Sequence, residues 1–261
     1  MLVITKVQRA VPEITTNPGA YVIPLLRDPV HFKTESVRMG RHACAITYES
    51  EFAETMPAIR AVLEACGRVL PLKVDIRLVL ERTASQRLNH PTGVGGYTEG
   101  LLDERKFLIR LETDMDHPNW SEWLPSAVAH EYNHVVNHQG LGACYHNYFG
   151  EAFMSEGLAE CFSMALTGKT LPIQISEKKT KQMLDLVKSN VSIRWGHDAR
   201  DLFHELFLDS VGRFPTFSGY VVSYRAVKNM FLELGLDTQN THDWKKIMDK
   251  SFSIGPWDYR L

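Results

Sequence analysis

The sequence predicts a mainly helical α+β fold, in which a small sheet precedes a helical C-terminal half. Val74–Leu80 and Lys106–Glu112 alternate apolar and polar residues, as strands with one buried face do. From residue 121 onward, apolar residues recur at helical spacing, and Gly and Pro separate the segments. The composition, 44% apolar and 23% charged in 261 residues, is that of a globular protein with a full core. We therefore expect an N-terminal region at 1–120 and a helical region at 121–261, either as two regions or as one compact domain.

The elements follow in chain order. Residues 1–50 carry no legible pattern, and Phe52–Val69 has the spacing of a helix that ends near Pro71. Gly93–Gly100, between the two strands, is either a glycine turn or an extended edge strand. Further helices are expected at Leu124–Val136, with Ser121 as N-cap and Gly140 as stop, and at Glu151–Leu166, Glu177–Ser189, Asp198–Val211, Ser218–Leu234 and His242–Ser251.

One pentapeptide in the helical half carries chemistry. His130-Glu131-Tyr132-Asn133-His134 has the spacing HExxH. Residues four apart lie above one another on a helix, so His130 and His134 can bind the same metal ion. Glu131 projects about 100° around that helix, where it can contact a water on the metal without being a ligand. The pattern indicates two metal ligands and a general base.

A second motif, SEGLAE, places Glu156 22 residues after His134. On the helix that contains it, Glu156 and Glu160 lie on one face. Such a pair is by itself typical of a solvent-exposed face, but next to HExxH it favours Glu156 as the third ligand. Glu160 is then placed to accept a hydrogen bond from the far nitrogen of His130. Two imidazoles and one carboxylate leave a fourth position for water, as catalytic zinc sites do.

Spacing also bears on which other residues could be the third ligand. His138 continues the series, but it lies about 12 Å along the helix axis from His130, whereas ligand bonds are about 2 Å long. The position six residues after His134, where metzincins have a third histidine, is Gly140. His146, in a loop-like segment, stays an alternative to Glu156.

At these residues the sequence resembles the DUF2268 family of predicted zinc-dependent proteases. The resemblance rests on HEYNHVVN, SEGLAE and Gly219–Arg225 (GYVVSYR) and covers about residues 85–235. Ser223 stands where that family usually has Gly, and the first 70 residues carry no match. The resemblance implies a zincin-like, gluzincin-type metallopeptidase, with the third ligand on the helix after HExxH and a sheet edge that aligns the substrate.

Two further roles are predicted. If Gly93–Gly100 is an edge strand, its free N–H and C=O groups can hold a peptide by strand addition, and Gly95 and Gly96 allow the substrate backbone to come close.

Aromatic residues at helical spacing near residue 220 are most often core packing, but a phenol near the start of that helix could donate to an oxyanion. We expect this donor to be Tyr224. Other candidates for a role in the cleft are Tyr220, Arg225, His197, His204 and Trp195.

The composition of the chain argues against several classes of partner and location. The net charge is −2 and the longest basic runs are lysine pairs, so nucleic acid is not expected as a partner. The N-terminus lacks a signal-peptide core and no apolar run reaches 18 residues, so no membrane insertion is expected. Four cysteines without CxxC spacing are typical of a reducing compartment. These observations predict a soluble cytoplasmic protein.

The sequence thus predicts a peptidase with one zinc ion per chain and a peptide or protein substrate. Two alternatives remain. The same residues could hydrolyse a non-peptide amide or ester, or the chain could bind zinc as a regulatory or interaction protein without turnover.

Overall fold

The sheet lies N-terminal to the helices that carry the candidate site. The computed structural model describes residues 32–83, 90–101, 106–141, 147–208 and 212–253. The described residues form five strands: β1 Phe32–Met39, β2 His42–Glu49, β3 Ile76–Arg82, β4 Val94–Leu101 and β5 Lys106–Thr113. They form seven α-helices: α1 Met56–Val69, α2 Trp120–Leu141, α3 Phe149–Thr167, α4 Glu177–Asn190, α5 His197–Phe203, α6 Ser218–Glu233 and α7 Trp244–Ser253. The fold is mixed α+β, as the sequence predicts.

The five strands form one sheet in the order β1-β2-β3-β5-β4. The pairs β1–β2 and β5–β4 are antiparallel, whereas β2–β3 and β3–β5 are parallel. Helix α1 connects the parallel strands β2 and β3, because parallel neighbours need a crossover. Strand β4 pairs only with β5 among the described strands, so it is an edge of the sheet.

Every second residue of the central strands is buried, and these residues pack against the helices. Alternate residues of β3 and β5, including Leu78, Leu80, Ile109 and Leu111, are fully buried on the face that the helices cover. The larger apolar cluster joins this face to α1, α2, α3, α6 and α7. A second cluster lies among α3, α4, α5 and α6. The division of the chain at residue 120 stays a prediction, and the larger cluster contains residues from both sides of it.

Several element boundaries differ from the expectation. Strands β1 and β2 lie in the segment 1–50, where the pattern was not legible. The glycine-rich segment is the edge strand β4 and not a turn. Ser121 and Gly140 both lie inside α2, so neither caps it, because the helix continues one residue or more beyond each. After α5, residues 204–208 form one π-helical turn, and residues 209–211 of the expected helix lie outside the described residues.

Gly157 explains how α3 can cross α6 closely. A Cβ atom at Gly157 would lie 2.5 Å from Val227 Cγ2 and 2.6 Å from the Ser223 carbonyl oxygen. The glycine therefore allows the two helices to touch, one residue after Glu156. Ser223 is fully buried in this crossing, and its hydroxyl donates to the Tyr220 carbonyl oxygen at 3.0 Å. The serine that replaces the usual glycine is thus accommodated without an unpaired hydroxyl.

Candidate metal centre

Helices α2 and α3 bring the three predicted ligands together. His130 and His134 lie one turn apart on α2, and Glu156 lies on α3. Their ligand atoms lie within 4.8 Å of one another, and among the described residues no other group of three or more His, Cys, Asp or Glu does so. The two Nε2 atoms are 3.0 Å apart, and Glu156 Oε2 lies 3.2 Å from His130 Nε2 and 3.5 Å from His134 Nε2.

The far nitrogen of each histidine has its own partner. Glu160 Oε1 lies 2.9 Å from His130 Nδ1, and Ser155 Oγ lies 3.1 Å from His134 Nδ1. These partners hold Nδ1 of both rings and leave both Nε2 atoms directed to the same point. Glu160 thus lies where the spacing predicts. Ser155 was not predicted, although its place directly before Glu156 on a helix after HExxH is a readable signal.

Close contacts between the histidines and the glutamates shift the pKa values of these residues. Burial opposes the charged form of His130, but its hydrogen bonds to Glu156 and Glu160 raise its pKa well above the ordinary value. Burial alone would raise the pKa of Glu156; the two histidines overcome it and hold that pKa far below its usual range. A deprotonated carboxylate beside two imidazoles, with one oxygen and two nitrogen donors converging, fits Zn²⁺.

Glu131 lies on α2 next to the ligands and is held by the edge strand. Its side chain is 6% exposed. The Thr98 hydroxyl, on β4, donates to the Glu131 carboxylate at 2.8 Å. A Cβ atom at Gly96 would lie 3.0 Å from Glu131 Oε1, so the carboxylate fills the space that this glycine leaves. Thr98 was not predicted; its signal is the period of two that places it on the same face of β4 as Gly96.

One of the three candidate ligands, His130, lines a cleft of about 360 Å³, together with Glu131. The edge strand β4 forms one wall, with Gly95, Gly96 and Tyr97. Helices α2 and α3 and the chain around the start of α6 also contribute lining residues. The lining residues include Glu112, His130, Glu131, Glu160, Phe217 and Tyr220.

The structure places Tyr220 and not Tyr224 among the residues that line this cleft. The Tyr220 ring lies 6.0 Å from the His130 ring. Burial, and then the carboxylates of Glu156, Glu131 and Glu160, raise the pKa of the Tyr220 phenol well above its ordinary value, so it stays protonated. Its hydroxyl makes no hydrogen bond to another group of the described chain. Tyr224 instead packs against the main apolar cluster, with Lys228 Nζ 5.7 Å from its ring centre.

Close contacts hold the start of α6, and with it Tyr220. Phe217, directly before this helix, has φ +62°, a left-handed conformation that no other non-glycine residue in the described ranges adopts. Its N–H donates to the Phe207 carbonyl oxygen at 3.0 Å, and the Phe207 ring lies 4.9 Å from the Tyr220 ring at nearly a right angle. At Gly219, a Cβ atom would lie 2.7 Å from Phe207 Cγ.

The remaining candidates lie elsewhere. His197 is exposed, and its ring lies 3.0 Å from the Asp201 carboxylate. His204 is exposed and lies outside the cleft. Arg225 is exposed and lies near Thr180. The Trp195 ring packs 5.9 Å from that of Phe203. The His138 ring lies 5.6 Å from the Phe107 ring and is not part of the ligand group. His146 lies outside the described residues.

Fold and site together define a mixed α+β protein with a candidate His-His-Glu metal centre at the side of a cleft. Residues 58–248 match the family described as predicted Zn-dependent protease (DUF2268), and the chain belongs to this family. The resemblance stated from the motifs is thereby confirmed. Comparison with curated proteins found no match.

Among solved structures, an aminopeptidase N family protein from Idiomarina loihiensis is similar, with a TM-score of 0.50 and 13% sequence identity. The similarity covers 87% of this chain and 42% of that one, so this chain spans less than half the length of that protein. At this identity the likeness concerns the fold. In the described parts of the chain, no helix combines the length and the apolar character that crossing a membrane requires.

Proposed function

We propose that this chain is a zinc-dependent peptidase of the gluzincin type. The observation that carries the proposal is the convergence of His130, His134 and Glu156 beside a cleft that His130 and Glu131 line. The three residues would hold one Zn²⁺ through two nitrogens and one oxygen. A zinc ion in such a site supplies Lewis acidity, which polarises a carbonyl group and lowers the pKa of water.

Glu131 is the proposed general base. It does not belong to the ligand group, yet its carboxylate lies on the cleft next to that group. The hydrogen bond from Thr98 holds one carboxylate oxygen and leaves the other available to accept a proton from the attacking water. The same carboxylate then returns this proton to the leaving amine. Thr98 therefore acts by positioning Glu131.

The edge strand β4 is the proposed substrate support. Its second edge pairs with no strand in the described residues and borders the cleft at Gly95 and Gly96. A peptide that pairs there gains main-chain hydrogen bonds, and its backbone can come close to the ligands because these glycines carry no side chain.

Tyr220 is the proposed oxyanion donor. It lines the cleft, its phenol stays protonated, and its hydroxyl is not used by another group of the described chain. The sequence favoured Tyr224 for this role. Substitution of each tyrosine by Phe separates the two: loss of a donor of this kind lowers kcat by about 10² to 10³-fold. We expect that loss for Tyr220→Phe and a near-parental kcat for Tyr224→Phe. The reverse result would assign the role to Tyr224.

The proposed activity is tested by metal content and cleavage together. Elemental analysis of the purified protein should give about one zinc per chain, and a proteome-derived peptide library should show cuts that a chelator abolishes and added zinc restores. Glu131→Gln should keep zinc and lose turnover. Zinc binding without cleavage of any peptide, amide or ester would instead indicate a regulatory protein, and cleavage of small amides or esters alone would indicate another hydrolase.

We further propose that the protein works in the cytoplasm, with peptides as substrates and without nucleic acid as a partner. Cys44, Cys66 and Cys161 are buried and free, which supports a reducing compartment.

A further inference from the structure

One carboxylate in the cleft has no part in the proposed chemistry. Glu112, on β5, lies directly opposite Gly95 on the edge strand. Because Gly95 has no side chain, no β4 side chain lies directly opposite Glu112, and Glu112 lines the cleft. Its side chain lies on the face of the sheet opposite to the one that meets Glu131, since Gly96, the next residue of β4, faces Glu131.

No residue in the described ranges balances the charge of Glu112. Its neighbour on β3 is Glu81, a second carboxylate. The guanidinium of Arg110 pairs with Glu81: Arg110 Nη1 donates to the two carboxylate oxygens at 2.9 and 2.8 Å. Glu112 forms no hydrogen bond or ion pair with a described residue, and no described Lys or Arg lines the cleft. The other two lining carboxylates have partners, Glu131 with Thr98 and Glu160 with His130.

A bound peptide would bring side chains to this carboxylate. Successive side chains of a strand added to β4 point to opposite faces, so every second one lies on the side of Glu112. Neighbouring strands are about 4.8 Å apart, which puts a substrate residue opposite Gly95 about 10 Å from the Cα atom of Glu112. A lysine or arginine side chain and a glutamate side chain together span that distance across the gap at Gly95.

We propose that Glu112 is a specificity-determining residue that selects peptides presenting a cationic group beside Gly95. The inference rests on the proposed peptidase function. The cation is a lysine or arginine side chain, or the free amine of a peptide that begins at this position. Both carry the same charge and the same N–H donors, which the uncompensated carboxylate can accept.

Binding to a variant that does not turn over tests the selection directly. In zinc-loaded Glu131→Gln protein, the dissociation constants of labelled peptides would be measured by fluorescence anisotropy, with lysine or norleucine scanned through each position. Each peptide would be measured both N-acetylated and with a free N-terminal amine. We expect the lysine peptide to bind about tenfold more tightly at one position, as a charge-assisted hydrogen bond at a partly exposed site provides. Adding Glu112→Gln should remove this preference and leave the norleucine peptide unchanged.

Glu99→Gln is the matched control, because Glu99 lies on the same face of the sheet but does not line the cleft. The preference should survive it. Equal binding of lysine and norleucine peptides at every position, and of their free-amine and N-acetylated forms, would overturn the proposal. So would an equal loss on both peptides in Glu112→Gln, or an equal effect of Glu99→Gln. Tighter binding of the free-amine form than of the N-acetylated form of the same peptide, lost in Glu112→Gln, supports the selection and assigns the cation to the chain terminus.

Cleavage assays with the parent protein separate this inference from the proposed function. If the parent shows no chelator-sensitive cleavage but the lysine preference depends on Glu112, the peptidase function fails and the selective site stands. If the parent cleaves lysine and norleucine peptides with the same kcat/KM and binds them equally, the peptidase function stands and the role of Glu112 fails.

Discussion

Gly96 is the position where one methyl group should disturb both the sheet edge and the proposed base. A Cβ atom there would lie 2.4 Å from Leu111 Cδ2 and 3.0 Å from Glu131 Oε1. Leu111 is fully buried, so it has little room to retreat. Glu131 is held by Thr98 on the same strand. In Gly96→Ala, either β4 moves outward or the Glu131 carboxylate is displaced.

The magnitude follows from these contacts. Overpacking against buried side chains such as Leu111 costs about 1–3 kcal/mol, and the lower chain entropy of alanine in the unfolded state offsets about 0.4–1 kcal/mol of it. We therefore expect the free energy of unfolding to fall by about 1–2 kcal/mol. Displacement of a catalytic group by about 1 Å can lower kcat as much as 10²-fold, so activity should fall more than stability. Zinc content should stay near one per chain, because Glu131 is not in the ligand group.

Urea denaturation, elemental analysis and steady-state kinetics on one peptide measure these three quantities. Gly100→Ala is the matched control on the same strand, because its Cβ atom would meet only Phe107 Cε1, at an ordinary 3.7 Å. This control should stay within about 0.5 kcal/mol of the parent. If Gly96→Ala were as stable as Gly100→Ala and cleaved as fast as the parent, the close approach of β4 to Glu131 would be refuted.

Three further predictions concern the ligands, α6 and pH. Glu156→Ala should lower zinc content from about one per chain towards zero after dialysis against a mild chelator, as measured by elemental analysis; full retention would exclude Glu156 as a ligand. Gly219→Ala should lower the free energy of unfolding by about 1–3 kcal/mol and reduce kcat, because its Cβ atom would lie 2.7 Å from Phe207 Cγ and force away the start of α6 with Tyr220; unchanged kinetics would count against that contact. Burial, and then the charge of His134, lower the pKa of His138 to about 4. The unfolded chain therefore binds a proton at higher pH than the folded chain, so stability is lost as pH falls from about 6.5 to 4. Because solvent screens this partly exposed ring, we expect a loss of roughly 2 kcal/mol, less than the full shift would give. Urea titrations across that range should show a smaller loss in His138→Gln, and identical pH profiles would contradict the assignment.

The candidate metal ligands could be predicted from the sequence because each helix places its own ligand residues through local spacing. His130 and His134 are brought together by the helical repeat alone, and no long-range contact is needed. Glu156 and Glu160 share a face of the next helix for the same reason. That α3 lies against α2 with these faces opposed was only an inference from the paired motifs; the tertiary structure brings Glu156 within 3.5 Å of both rings.

The groups that the sequence did not reveal depend on pairing across the chain. Thr98 reaches Glu131 over a separation of 33 residues, and only the position of β4 at the edge of the sheet brings them together. The sequence did not reveal strands β1 and β2, because their apolar residues are mixed with polar and small ones, in a segment that has no other sign of secondary structure. The choice between Tyr220 and Tyr224 was also not readable, since residues four apart on a helix share one face, and the periodicity does not show which turn reaches the cleft.

The sequence by itself determined the mixed α+β class, the helix with HExxH and the pairing of that motif with an acidic helix, because local periodicity and spacing encode these features. Only the tertiary structure decided that the glycine-rich segment is an edge strand, that Tyr220 lines the cleft and that Glu112 has no counter-charge among the described residues. These features depend on which distant segments become neighbours, and that is set by how the buried faces of sheet and helices pack together.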